Sequence, residues 1–331
     1  MTRRQAISRV HRLQRDRIEL GDERLTERFN PRTAEIDRAS TREIVAMLNA
    51  EDRTVADTVA AEAEAISAVV DDVAARLGRG GRLLYVGAGT SGRLGVLDAA
   101  ECPPTFGTDP DLVQGFIAGG RDALVRALEG AEDDAPAGRD AVQGAGVGPD
   151  DFVLGIAASG TTPFVRAALE AAIAAGAGTG MLSCTEPPAD LAGRVDHRVT
   201  PLTGPEAIVG STRLKAGTAT KLVLNTITTA AMIRLGKVYG NLMVDLRATS
   251  AKLVDRSLRI VEALTGLGRA EAMRLLGEAD GRVKTALAMH GMGVDREEAE
   301  RRIAACGGSL AACLERFAPD APPEAGAEGG T

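Results

Sequence analysis

Apolar and polar positions change rhythm along this chain, and each change predicts a different kind of element. From Thr33 to about Leu77 the apolar side chains recur at helical spacing, with Ile36, Ile44, Met47 and Leu48 on the pattern. Ser40-Thr41 ahead of Glu43 predicts a helix start, because a Ser or Thr hydroxyl accepts from a free first-turn amide. A second helix is expected over roughly Val55 to Leu77, closed by Arg79-Gly80-Gly81. The charged stretch 1–24 has no steady apolar period and reads as a poorly packed extension.

From Arg82 onward, short apolar runs alternate with helical stretches. Strands are expected at Arg82–Val86, Leu112–Ala118, Phe152–Ala157 and Gly178–Ser183, with a shorter one at His197–Leu202. Between them the pattern predicts a helix after the Gly87–Gly92 turn to about Ala100, a helix through Arg121–Glu132, and a helix from Pro163 to about Ala175. Asp133–Gly148 reads as an acidic, Gly-rich loop. Strands alternating with helices imply right-handed crossovers, so the expected fold class is α/β, a doubly wound, parallel, five-stranded sheet. Ser211 to about Leu235 reads as one long helix. Ala251 to Phe317 is all helical, broken at Gly266-Leu267-Gly268, Gly291-Met292-Gly293 and Gly307-Gly308. The expected organisation is an extension at 1–24, an α/β domain with N-terminal helices at 25–249, a helical domain at 250–317 and a disordered tail at 318–331.

Composition narrows the functional classes. Aromatics are only 2% of the 331 residues, so the core must be built from Ala, Val, Leu and Ile. No apolar run reaches the roughly 18 to 20 residues that a membrane span needs. The Arg-rich start lacks the apolar stretch of a secretory signal. A formal net charge of -7 argues against general nucleic-acid binding. Cys102, Cys184, Cys306 and Cys313 have neither zinc-like spacing nor the density of a disulfide framework, so a reduced cytoplasm is the expected setting and metal catalysis is not. The basic residues are mostly Arg; Lys215 is one of five lysines and stands inside a hydroxyl-rich motif.

The candidate chemistry begins at Gly87-Ala88-Gly89-Thr90-Ser91-Gly92, which follows a strand and opens a helix. The spacing matches a dinucleotide fingerprint, but the end of the next strand reads Ala118-Gly119-Gly120-Arg121 where an acidic residue is wanted. It also matches a P-loop, except that Arg93 and Leu94 replace the lysine and the magnesium-binding hydroxyl. What remains is a helix N-terminus whose amides and hydroxyls hold a phosphate monoester, against the plainer reading of a tight strand-to-helix turn. Ser159-Gly160-Thr161-Thr162-Pro163 repeats the design after another strand, and Ser211 to Thr218, with Lys215, opens the long helix. Three such turns point to a sugar-phosphate pocket. Glu101, ending its helix against Cys102-Pro103-Pro104, offers a fixed carboxyl; Glu132 offers a second, which from the residues alone reads as a solvated helix end. His11, His197 and His290 lie outside the turns, and the absence of a Gly-x-Ser-x-Gly elbow argues against serine hydrolase chemistry.

These motifs closely resemble the N-acetylmuramic acid 6-phosphate etherases, members of the sugar isomerase (SIS) group and relatives of the glucokinase regulatory protein. The resemblance runs from about Thr33 to Phe317 and is carried by Gly87–Arg93, Asp98–Gly107, Glu129–Asp133, Gly155–Phe164, Gly210–Lys221 and Gly240–Asp245. It implies an SIS-type, flavodoxin-like sheet, no cofactor, and cleavage of the D-lactyl ether of N-acetylmuramic acid 6-phosphate by elimination and water addition, in cell-wall sugar recycling. It further implies that Glu101 is the proton donor to the leaving lactate, that Glu132 is the second active-site acid, and that the enzyme is a cytoplasmic homodimer. Gly89, Thr90, Ser91, Ser159, Gly160, Thr161 and Ser211 are implied to contact the sugar phosphate, with Lys215 nearby. One departure is Thr161, which stands where many relatives carry Arg. A sugar-phosphate sensor without catalysis and a sugar-phosphate isomerase are the alternative readings.

Overall fold

A computed structural model describes residues 24–246 and 251–318, without the side chains of Ala251 and Lys252. The expected extension and tail therefore lie outside the described residues, apart from Arg24 and Ala318. Ser40 starts the first long helix, α1 (Thr41–Ala60): its Oγ accepts from the Glu43 amide, and its own amide donates to the Glu43 carboxylate at 2.7 Å. The break comes at Ala61-Glu62 rather than near Val55, and α2 spans Ala63–Gly78. Val55 and Val59 sit one turn apart on the buried face of α1, so no change of direction falls between them. Glu62, at the break, accepts from the Thr200 amide at 2.8 Å.

The next strands and helices are β1 (Leu83–Gly87), α3 (Gly89–Phe106), β2 (Val113–Ile117), α4 (Asp122–Val125), α5 (Ala135–Gly144), β3 (Phe152–Ile156), α6 (Pro163–Ala174), β4 (Gly178–Leu182), α7 (Ala189–Ala192), β5 (His197–Val199) and α8 (Lys215–Arg234). All five strands are parallel, in the order β2-β1-β3-β4-β5. That is a doubly wound sheet whose order reverses between β1 and β3. Every residue of β1, β3 and β4 is buried, as a sheet covered on both faces requires. Arg82 pins the amino edge: its guanidinium clasps Asp151, and the Asp151 carboxylate also accepts the Arg82 amide at 2.9 Å.

Three expectations are corrected here. The helix after β1 does not end at Glu101; α3 continues through Pro103 and Pro104 to Phe106. Interior prolines cost a helix two amide donors, but Cys102 and Phe106 are buried and the chain turns only at Gly107, where φ is 63°. The helix expected over Arg121–Glu132 is only the single turn α4, followed by a 3-10 turn at Ala131–Asp133. Arg93 takes the Leu124 and Arg126 carbonyls that a longer helix would use, and Gly130 adopts φ 75°. The supposed loop at Asp133–Gly148 contains α5, capped by Asp134, whose carboxylate accepts the Ala137 amide at 2.9 Å.

The chain divides into two units. One takes the described residues up to Ala100 with Pro110–Thr229; the other takes Glu101–Asp109 with the described residues from Ala230 on. The second unit adds a short hairpin, β6 (Val238–Tyr239) with β7 (Leu242–Met243), which the strand reading missed, and the helices α9 (Ala251–Thr265), α10 (Arg269–Glu278), α11 (Val283–Met292), α12 (Arg296–Ala305) and α13 (Leu310–Phe317). The three glycine breaks fall as expected, with a fourth at Asp280-Gly281. Around Val261, Ala286 and Leu310 the helices share one apolar core. Lys284 is buried beside it, and its ammonium donates to Asp245 at 2.6 Å and to the carbonyls of Gly236 and Gly308 at 2.8 and 2.9 Å. Among the described residues no helix is long and apolar enough to cross a membrane.

Candidate functional site

The turns after β1 and β3 are neighbours, because Gly87 pairs with Ile156 at the carboxyl edge where the strand order reverses. In an open α/β sheet that crevice is where ligands bind. After β1 the chain turns so tightly that a side chain at Gly92 would lie 2.6 Å from Ile117 and 2.7 Å from the Gly87 carbonyl. The helix α3 starts directly at Gly89, so the amides of Gly89, Thr90 and Ser91 fall in its first turn, where a helix offers them no carbonyl partner, and Thr90 and Ser91 add two hydroxyls to the same turn. Thr90 and Ser91 are half-buried.

After β3, Gly160 adopts φ 70° and a side chain there would meet the Pro187 backbone at 2.9 Å. Ser159 Oγ accepts from the Thr161 amide at 3.3 Å and from the Thr161 hydroxyl at 3.0 Å. The two hydroxyls are thus held together at the entrance to α6, which Pro163 opens. Thr161 Oγ1 also accepts from the Arg24 guanidinium at 3.4 Å.

The third turn joins the other two in part. Thr90 lies against the first turn of α8, where a side chain at Gly217 would be 3.4 Å from its methyl group. Ser211 is half-buried in the turn before that helix. The N-terminus of α8 is itself already occupied. Glu206, fully buried, accepts from the Lys215 and Ala216 amides at 2.9 Å each. Burial raises the Glu206 carboxyl pKa, opposed by those amides and by Lys215. Lys215 points away from solvent: 1% exposed, it donates to Glu51 at 2.8 Å. Arg32 holds the same carboxylate through two bonds, 2.5 and 2.8 Å long, and lowers the Glu51 pKa to about 2. Sequence reading missed Glu51 and Glu206. For Glu206 the signal available was a lone charge among the apolar and small residues of 204–210; Glu51, followed by Asp52 and Arg53, carried none.

Behind the turn after β1, a second buried polar group locks α3 to α8. Asp98 accepts from the Tyr85 hydroxyl at 2.9 Å, the Asn225 amide at 2.5 Å and the Thr228 hydroxyl at 3.2 Å. Burial raises its pKa against those three donors. Of the two expected acids, Glu101 is exposed on α3 and Glu132 is exposed on the 3-10 turn at Ala131–Asp133. Both carboxyls are therefore open to a ligand from solvent. In the second unit a cavity of about 720 Å³ is lined by Lys237, Asp245, Arg282, Lys284 and Glu300. Lys237 and Lys284 pair there with Asp245 and Arg282 with Glu300, and Asp280 lines it as well.

Comparison with known proteins places this architecture. A family model described as the glucokinase regulatory protein N-terminal SIS domain matches residues 63–173. A protein of Mycolicibacterium smegmatis named N-acetylmuramic acid 6-phosphate etherase is 52% identical over 285 residues, covering 86% of this chain and 95% of the relative. One of the same name from Salmonella typhi is 49% identical over 291 residues, covering 88% of this chain and 98% of its own. Among solved structures, a phosphoheptose isomerase from Neisseria gonorrhoeae is similar at 18% identity with a TM-score of 0.44, over 58% of this chain and 98% of its own.

Proposed function

This chain belongs to the N-acetylmuramic acid 6-phosphate etherase family, and from that premise we propose that it cleaves the D-lactyl ether of N-acetylmuramic acid 6-phosphate, yielding N-acetylglucosamine 6-phosphate and D-lactate. The observation that carries the reading is identity of about half the residues over nearly the whole length of relatives with that name. The site is consistent with it. Hydroxyls and first-turn amides after β1 and β3 form an uncharged cradle suited to a phosphate monoester.

The chemistry runs in two steps. In the open-chain sugar the C2 proton is acidified by the neighbouring aldehyde. A base removes it, the C3–O bond breaks, and the lactyl oxygen takes a proton as it leaves. Water then adds across the C2–C3 double bond, its oxygen to C3 and a proton to C2. Glu101 gives the proton to the departing lactate and Glu132 serves as the second acid–base group, as carboxyls in such work do. Gly89, Thr90, Ser91, Ser159, Gly160, Thr161 and Ser211 hold the sugar phosphate. Lys215 acts from behind, fixing Glu51 and the start of α8 rather than touching the ligand.

The protein works as a homodimer in the cytoplasm, in recycling of cell-wall sugar. Leu97, Val125 and Leu128 are exposed on neighbouring segments that Arg93 ties together, an apolar surface suited to a second copy. Release of D-lactate from N-acetylmuramic acid 6-phosphate by the purified protein tests the activity; phosphate-sugar binding without lactate favours the sensor instead. Light scattering after size exclusion tests the dimer, and a monomer mass contradicts it.

A further inference from the structure

We propose that Arg24 is a phosphate-binding residue of the sugar-phosphate site, carried to the Ser159–Thr161 turn by a strap formed by residues 24–33. The proposal rests on the sugar-phosphate reading above and adds to it the cation that the cradle needs. The strap is stitched across two loops at the carboxyl edge of the sheet. The Leu25 amide donates to Thr185 Oγ1 at 3.2 Å, beyond β4. Beyond β5, the Gly210 amide donates to the Thr26 carbonyl at 3.1 Å, Asn30 donates to the Pro205 carbonyl at 3.3 Å, and Thr33 donates to the Ala207 carbonyl at 2.8 Å. Thr26, Asn30 and Thr33 are all buried, so these bonds fix the strap as firmly as they fix any core element. Pro31 and two 3-10 turns, Leu25–Glu27 and Pro31–Thr33, stiffen it further.

The consequence is the placement of one guanidinium. Arg24 Nη1 lies 3.4 Å from Thr161 Oγ1, whose own proton goes to Ser159 Oγ at 3.0 Å. The hydroxyls after β1 and β3 offer donors but no charge, and a phosphate monoester brings close to two negative charges. Lys215, the lysine inside the third turn motif, is spent on Glu51, and Arg93, next to the first turn, on the Leu124 and Arg126 carbonyls. A guanidinium matches phosphate with a planar fork of donors.

The test measures binding rather than turnover. Titration calorimetry with N-acetylglucosamine 6-phosphate compares the full chain with Arg24→Ala and Arg24→Gln. The Gln side chain keeps a donor for Thr161 and loses the charge. Both variants should bind about 10- to 100-fold more weakly, melt with the wild type, and show a shallower dependence of affinity on salt. Arg24→Lys should recover part of the loss. Equal affinity of Arg24→Gln and wild type overturns the proposal, as does a loss in Arg24→Ala that Arg24→Gln fully restores, since that would make Arg24 a strap anchor. Wild type that binds the probe but releases no D-lactate refutes the etherase reading and leaves Arg24 standing. Wild type that fails to bind the probe refutes both.

Discussion

Lys215 and Glu51 form an ion pair 2.8 Å long in which both side chains are closed to solvent, at 1% and 2% exposure. The pair joins α1 to the start of α8, and through it to the turn that carries Ser211. Glu51→Ala strands the buried Lys215 ammonium and should cost about 3 to 5 kcal/mol of stability, whereas Lys215→Met leaves the Glu51 carboxylate held by Arg32 and should cost less. Glu51→Leu combined with Lys215→Met should cost less than Glu51→Ala alone, which urea denaturation of the three variants will read directly.

The same carboxylate makes a pH prediction. Arg32, with help from Lys215, holds the Glu51 pKa at about 2 in the folded chain, below its ordinary 4.5. A depressed acid stabilises the fold when ionised. Its contribution is complete above about pH 4.5 and is lost as pH falls from there toward 2. Denaturation curves taken across that window should drop more steeply for the wild type than for Glu51→Gln. Parallel curves would remove Glu51 from the acid response.

Gly92 tests the turn after β1. Its missing side chain is what lets the Gly87 carbonyl and Ile117 approach. Gly92→Ala should cost about 1 to 3 kcal/mol through overpacking and should weaken sugar-phosphate binding because the cradle must shift. Calorimetric titration against a thermal melt separates the two effects; an unchanged affinity would place the phosphate elsewhere.

Ser91 tests the cradle more gently. Ser91→Ala removes one hydroxyl from a charged partner and should raise the KM by the equivalent of about 1 to 3 kcal/mol, with kcat little changed. Steady-state release of D-lactate gives both constants, and a fall in kcat alone would move Ser91 from binding to chemistry.

The sheet was legible because its strands are short apolar runs bounded by glycine, and the parallel order followed from the helices between them. The turns after β1 and β3 were legible for the same reason: tight glycine geometry and hydroxyls leave a local signature. What escaped was set by distant partners. The helix α5 looks like a loop because Gly138 and Gly144 lower its propensity, yet a side chain at Gly138 would run into the Phe164 carbonyl of α6. Pro103-Pro104 looks like a stop, yet buried Cys102 and Phe106 carry α3 past it. Lys215 looks like a ligand contact because its motif is rich in hydroxyls, whereas Glu51, far away in sequence, claims its ammonium. The strap at 24–33 is recognisable only through the loops it crosses.

The central claim is that Glu101 protonates the departing lactate. D-lactate release from N-acetylmuramic acid 6-phosphate, measured for wild type and Glu101→Gln alongside binding of N-acetylglucosamine 6-phosphate, tests it most directly. The account predicts steady release by the wild type, a loss of about 100-fold or more in the variant, and nearly equal binding by the two. Release by Glu101→Gln at the wild-type rate would contradict it.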